Sequence, residues 1–85
     1  MTDQISAEML DEIERRCAAA TPGPWISFIE GRDHSSGDSF IRTDGDDIYL
    51  SVATDADQDF VASARQDIPA LIAEVRRLRQ QWTTR

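Results

Sequence analysis

Thr54-Asp55-Ala56-Asp57-Gln58-Asp59-Phe60-Val61-Ala62-Ser63-Ala64-Arg65-Gln66-Asp67-Ile68-Pro69 carries two helix starts in succession, and how they are read decides the fold. Thr54 has the chemistry of an N-cap, and Asp57, three residues on, completes a weak capping box. Ala56, Phe60 and Ala64 recur at four-residue spacing, which puts them on one helical face. Asp67 is a second cap, and Pro69 falls in the turn after it, where a missing N–H costs little. The pattern predicts a helix over 55–65 and a separate one over 68–82. In the second, Ile68, Leu71, Val75, Leu78 and Trp82 follow an a/d pattern over two heptads, and Ile72 widens the stripe. Two heptads are too few for an autonomous coiled coil, so this stripe is expected to pack on a sheet or on a second copy.

Upstream, the first segment is also helical. Ser6 is a good N-cap, and Leu10, Ile13, Cys17 and Ala20 share one face. Glu8, Asp11 and Glu12 sit where the helix dipole favours acids. Thr21-Pro22-Gly23-Pro24-Trp25 then stops the chain, which gives a helix over 6–20. From Trp25 the period shortens. Runs at about 25–30, 39–43 and 48–53 are β-branched or aromatic and are bounded by Gly and Asp. Ile48, Leu50 and Val52 alternate with Tyr49, Ser51 and Ala53, and Asp44-Gly45-Asp46-Asp47 supplies a hairpin turn before them. The expected fold is a small α+β domain of order α-β-β-β-α-α, a three-stranded antiparallel meander packed by helices. Its expected core is Leu10, Ile13, Cys17, Trp25, Ile26 or Phe28, Leu50, Val52, Phe60, Leu71 and Val75.

A chain of 85 residues has room for one domain, 1–85, and a modest core, and domains this small often gain stability by oligomerising. No apolar run approaches the length that spans a bilayer, and the acidic start Met1-Thr2-Asp3-Gln4 does not read as a signal peptide. A lone Cys17 asks for no oxidising compartment, so a cytoplasmic location is expected. The net charge of -7 argues against direct nucleic-acid binding. The charge is uneven: residues 1–63 carry a net -10 and residues 64–85 a net +3, and every basic residue is arginine. Such a split suits the tail of one copy meeting the body of another, or simply complements the dipole of the last helix.

Three segments in order, Ala19 to Trp25, Ala56 to Ala64 and Leu71 to Arg79, carry a family resemblance. They read Ala-Ala-Thr-Pro-Gly-Pro-Trp, Ala-Asp-x-x-Phe-Val-Ala-x-Ala and Leu-Ile-Ala-Glu-Val-x-x-Leu-Arg. The chain resembles small phage and prophage accessory proteins similar to the Ead-type early proteins of lambdoid phages. Residues 26–53 add nothing to the likeness. The resemblance implies a bacterial host cytoplasm and a protein that binds rather than catalyses. Small acidic phage proteins of this kind include inhibitors of host defence complexes and oligomeric sponges for nucleotide signals. It maps no catalytic residue onto this chain.

Candidate chemistry is thin. His34 lies in the polar loop 31–38 beside Asp33, Ser35, Ser36 and Asp38, which lacks the rigidity of a triad, and a solvated histidine is expected. Cys17 is expected as a buried small hydrophobe. Asp55, Asp57 and Asp59 begin like a calcium loop, but Phe60 and Gln66 stand where glycine and the bidentate Glu are needed. No metal, cofactor or nucleotide motif is present. Two surfaces remain. The carboxylates of Asp44, Asp46, Asp47, Asp55, Asp57 and Asp59, if they share a face, would imitate a phosphate track and bind a host protein complex. Alternatively Arg76, Arg77 and Arg79, pooled between copies with Trp25 or Trp82 as a stacking face, would hold a nucleotide signal. A third expectation is self-association through Leu71, Val75, Leu78 and Trp82.

Overall fold

The computed structural model describes residues 4–35 and 37–83, the last two without their side chains. The order is α-β-β-α: α1 (Ala7–Ala19), β1 (Ile26–Phe28), β2 (Phe40–Arg42) and α2 (Asp55–Thr83). The fold remains α+β, but the expected three strands and three helices are corrected to two of each.

The first correction concerns Pro69. Residues 55–83 form one helix of 29 residues with Pro69 inside it, about 43 Å long. A proline inside a helix removes one hydrogen bond and costs about 3 kcal/mol. Both flanks of Pro69 are clamped, which offsets that cost. Before it, Arg65 and Gln66 bond the 21–25 linker. After it, Ile72 is buried and Arg76 is fastened to α1.

The second correction concerns the third strand. It survives as a single bridge, in which Ile41 N–H donates to Ile48 O at 2.8 Å and Ile48 N–H to Ile41 O at 2.9 Å. The Asp44-Gly45 turn does form, organised by Thr43, whose hydroxyl donates to Asp46 O and accepts from Gly45 N–H. Beyond Ile48 the chain must reach Thr54, where α2 begins across the sheet, and a turn at Ser51-Val52 takes it there. Val52, expected in the core, is fully exposed with φ of 53°. That backbone region strains a β-branched residue by about 1–2 kcal/mol, and Asn tolerates it. Val52→Asn is expected to stabilise the protein by about 1 kcal/mol, read as a rise of about 4–8 °C in the melting temperature.

Local capping follows the sequence. Ser6 accepts from Met9 N–H at 3.0 Å. Thr54 and Asp57 form a reciprocal box, each side chain accepting from the other's N–H.

The sheet is offset by one residue from the expected alternation. β1 and β2 pair antiparallel with Ser27 opposite Ile41 and Phe28 opposite Phe40. Ser27 and Ile41 therefore share the face toward α2, and Ile41 is fully buried. Phe28 and Phe40 stack on the other face at 5.2 Å, with Arg42 over Phe28 and Tyr49 beside Phe40. The reason lies on α2. Gln58 is buried, and its amide nitrogen donates to Ser27 Oγ and to the carbonyls of Phe28 and Phe40. A small hydroxyl opposite that amide leaves room for it.

The core is Leu10, Ile29, Ile41, Ala62 and Ile72, with Thr43 and Gln58. Leu10 was expected there. Leu71 and Phe60, also expected there, face outward, while Trp25, Leu50, Val75, Ile13 and Cys17 are only half-buried. On a helix adjacent residues diverge by about 100°, so burying Ile72 turns Leu71 away.

Candidate functional site

The linker 21–25 fixes how α1, the sheet and α2 meet. Trp25 N–H donates to Gln66 Oε1 at 2.6 Å, and Gln66 Nε2 donates back to Trp25 O at 3.2 Å. Thr21 O accepts from both Trp25 Nε1 and Arg65 Nε, and Pro22 O accepts from Asp44 N–H. The approach is close at Gly23, where a Cβ would lie 3.1 Å from Gln66 Oε1 and 3.4 Å from Arg65 Cγ. This clamp leaves a groove of about 430 Å³ between α1 and the middle of α2, walled by Ile13, Cys17, Ala20, Trp25, Ala64 and Ile68. Arg16 and Arg65 stand at its margin. Cys17, expected as a buried residue, sits half-exposed in this wall.

Next to the groove runs a second apolar surface. With Gln58, Ala62, Pro69, Ile72 and Arg76 turned to the body of the protein, the 100° step puts Phe60, Ala64, Leu71, Val75 and Leu78 on another side of α2. Phe60 is 74%, Leu71 62%, Leu78 50% and Ile68 38% exposed. The heptad stripe is therefore an open seam, where packing on a sheet was one of the two expectations. The Trp82 side chain, expected on the same seam, lies outside the described residues.

The six acids are divided by the topology. Asp44, Asp46 and Asp47 lie in the turn that leans on Thr21 and Pro22, level with Arg65 and Gln66 of α2. Asp55, Asp57 and Asp59 occupy the first two turns of α2, about 12 Å away along its axis. Asp57 is committed to the capping box. Asp59 accepts two bonds from Arg32, at 2.9 and 3.0 Å. That guanidinium, with help from the Ser27 hydroxyl, lowers the Asp59 carboxyl to about 2. Arg32 also holds Asp33, whose carboxylate accepts from Ile29 N–H, so the 31–38 loop is tied to α2 at its start. His34, expected in solvent, packs half-buried against Phe40 at 5.4 Å.

The three C-terminal arginines are likewise committed. Arg76 bridges Asp11 and Glu14, each at 2.7 Å, and so fastens α1 to α2. Glu14 above all, then Asp11, raises its pKa beyond the ordinary value. Arg77 pairs with Glu74 on its own helix, which lowers the Glu74 carboxyl. Arg79 donates to Ile5 O. Trp25 sits level with Gln66, about 15 Å before Arg76 along α2. One copy therefore does not gather Trp25, Arg76, Arg77 and Arg79 into an anion pocket.

No protein-family model, curated protein or solved structure matches the chain. Among the described residues no group of three or more His, Cys, Asp or Glu is placed to hold a metal. No helix among them is long and apolar enough to cross a membrane.

Sequence reasoning missed Gln58, Arg16 and Arg65. The groove had a partial signal, because Ile13, Cys17 and Ala20 form a stripe and Trp25 follows it directly. Nothing local announced that Arg65 and Gln66 would bond a linker more than 40 residues earlier.

Proposed function

We propose that this protein is a non-enzymatic accessory protein of the phage type that works by association. Copies pair through the open seam of α2, and the paired body engages a host protein complex. The observation that carries this reading is a 29-residue helix with one face packed and a second apolar face uncovered. Contiguous exposed apolar surface of this kind marks an interaction site.

The overall dimensions support it. The chain exposes 6465 Å² and its radius of gyration is 16.4 Å. A compact monomer of 9.6 kDa would expose about 5,100 Å² with a radius near about 12 Å. The single helix of 29 residues gives the chain an extended shape that leaves the seam open to a second copy. Because the arginines of α2 are largely paired within the chain, apolar contact along the seam rather than the charge split carries the pairing. The outward surface then stays acidic and suits a basic protein partner more than nucleic acid itself.

The test is mass by light scattering over a concentration series. The wild-type chain is expected to run as a dimer or higher assembly. Leu71→Glu combined with Leu78→Glu is expected to give the monomer with an unchanged helical circular dichroism spectrum, because both positions are exposed. A wild-type monomer at millimolar concentration would overturn the reading.

A further inference from the structure

We propose that the groove between α1 and the middle of α2 binds a small aromatic anion, a carboxylate or sulfonate carried on a ring. This rests on the groove and its two arginines; Ala64 and Ile68 also border the seam, so the two surfaces are separated by the variants below.

The groove, about 430 Å³, is of the size that takes a small ligand. Its walls are aliphatic except for the Cys17 thiol and the Trp25 indole, and the indole is held in place by its Nε1–H bond to Thr21 O at 2.8 Å. An indole fixed in this way offers a rigid face on which a ring can stack. The positive charge at the rim is surplus. On α1, Asp11 and Glu14 are taken by Arg76, and Glu12 faces Arg15. The Arg16 side chain, one step further round, makes no hydrogen bond or ion pair among the described residues, and the residue lines the groove. Arg65 is oriented by a single bond from Nε to Thr21 O, and its two terminal nitrogens make no bond among the described residues. Two arginines among the residues that line an apolar slot match an oxyanion attached to an apolar ring. A neutral aromatic would fill the slot and leave both arginines unused.

This pairing of Trp25 with arginine differs from the one expected from the sequence. The arginines that meet the indole are Arg16 and Arg65, because the linker clamp sets Trp25 level with the middle of α2.

The experiment is a fluorescence titration of the full-length chain carrying Trp82→Phe, so that Trp25 is the only indole. Naphthalenesulfonate is the probe and naphthalenemethanol its neutral counterpart. A saturable change of Trp25 emission is expected with the sulfonate, with affinity about tenfold above that of the alcohol. Arg16→Gln removes an exposed side chain that holds nothing else, and is expected to erase most of that preference. Ala64→Leu, which fills the slot, is expected to abolish binding of both probes. The same titration on the Leu71→Glu, Leu78→Glu chain separates the groove from the seam, and binding is expected to persist there. No saturable change with the sulfonate, equal affinity for the two probes, or an undiminished preference in Arg16→Gln would each overturn the proposal.

Discussion

Gln58→Leu is expected to cost about 3 kcal/mol, a large share of the stability available to a domain of this size. The side chain is 3% exposed, and its amide nitrogen serves Phe40 O at 3.0 Å, Ser27 Oγ at 3.0 Å and Phe28 O at 3.3 Å. Leucine has nearly the same volume, so packing changes little. What changes is that two strand carbonyls lose a donor beneath a helix that shuts out water, and stranded acceptors cost about 1–3 kcal/mol each. Gln58→Glu is expected to cost more at neutral pH, because it sets a negative charge against the same carbonyls. Urea denaturation followed by circular dichroism gives both values. A loss below about 1 kcal/mol for Gln58→Leu would mean that the amide does not hold α2 to the sheet.

The second large effect is a contrast between neighbours. Ile72→Ala is expected to cost about 2–4 kcal/mol, since Ile72 is buried and its loss opens a cavity between α1 and α2. Leu71→Ala, one residue earlier and 62% exposed, is expected to change the stability of the monomer by less than about 0.5 kcal/mol. It should instead weaken self-association, because Leu71 lies at the middle of the open seam. Denaturation measured at high dilution isolates the first quantity, and the scattering mass of the same variant reports the second. Equal losses at the two positions would place the packed face of α2 elsewhere.

That contrast also marks the limit of what could be read without the structure. The stripe Ile68, Leu71, Val75, Leu78 and Trp82 and the stripe holding Ala62, Pro69 and Ile72 both exist in the sequence, and periodicity does not say which is covered. The heptad stripe is the more apolar of the two, so it reads as core. The choice is made by polar groups instead. Gln58 reaches the sheet, Arg65 and Gln66 reach the linker, and Arg76 reaches Asp11 and Glu14. All of these side chains lie on the covered side or at its margins. Each bond spans from 18 to 65 positions of sequence, and no local window contains both partners.

The same logic applies to the candidate sites. Six aspartates are close in sequence around residues 44–59, and the fold sets them at two levels, one beside Arg65 and Gln66 and one at the start of α2. Arg76 and Arg79 look like free cations until α1 takes Arg76 and the segment ahead of its cap, at Ile5 O, takes Arg79. Arg16 looks like ordinary helix charge until the linker brings Trp25 and Arg65 beside it.

By itself the sequence determined what depends on contacts within about one helical turn. These are the Ser6 and Thr54 caps, the stop at Thr21-Pro22, the Asp44-Gly45 turn and the existence of an amphipathic helix at each end. Tertiary structure alone decided that Pro69 sits inside one long helix, that Ser27 rather than Phe28 faces α2, and that Leu71 is left to solvent. The physical reason is that caps and turns satisfy their hydrogen bonds with near neighbours. The face a helix buries is fixed by where distant polar groups find partners, and here Gln58, Gln66 and Arg76 find them only once the chain has folded.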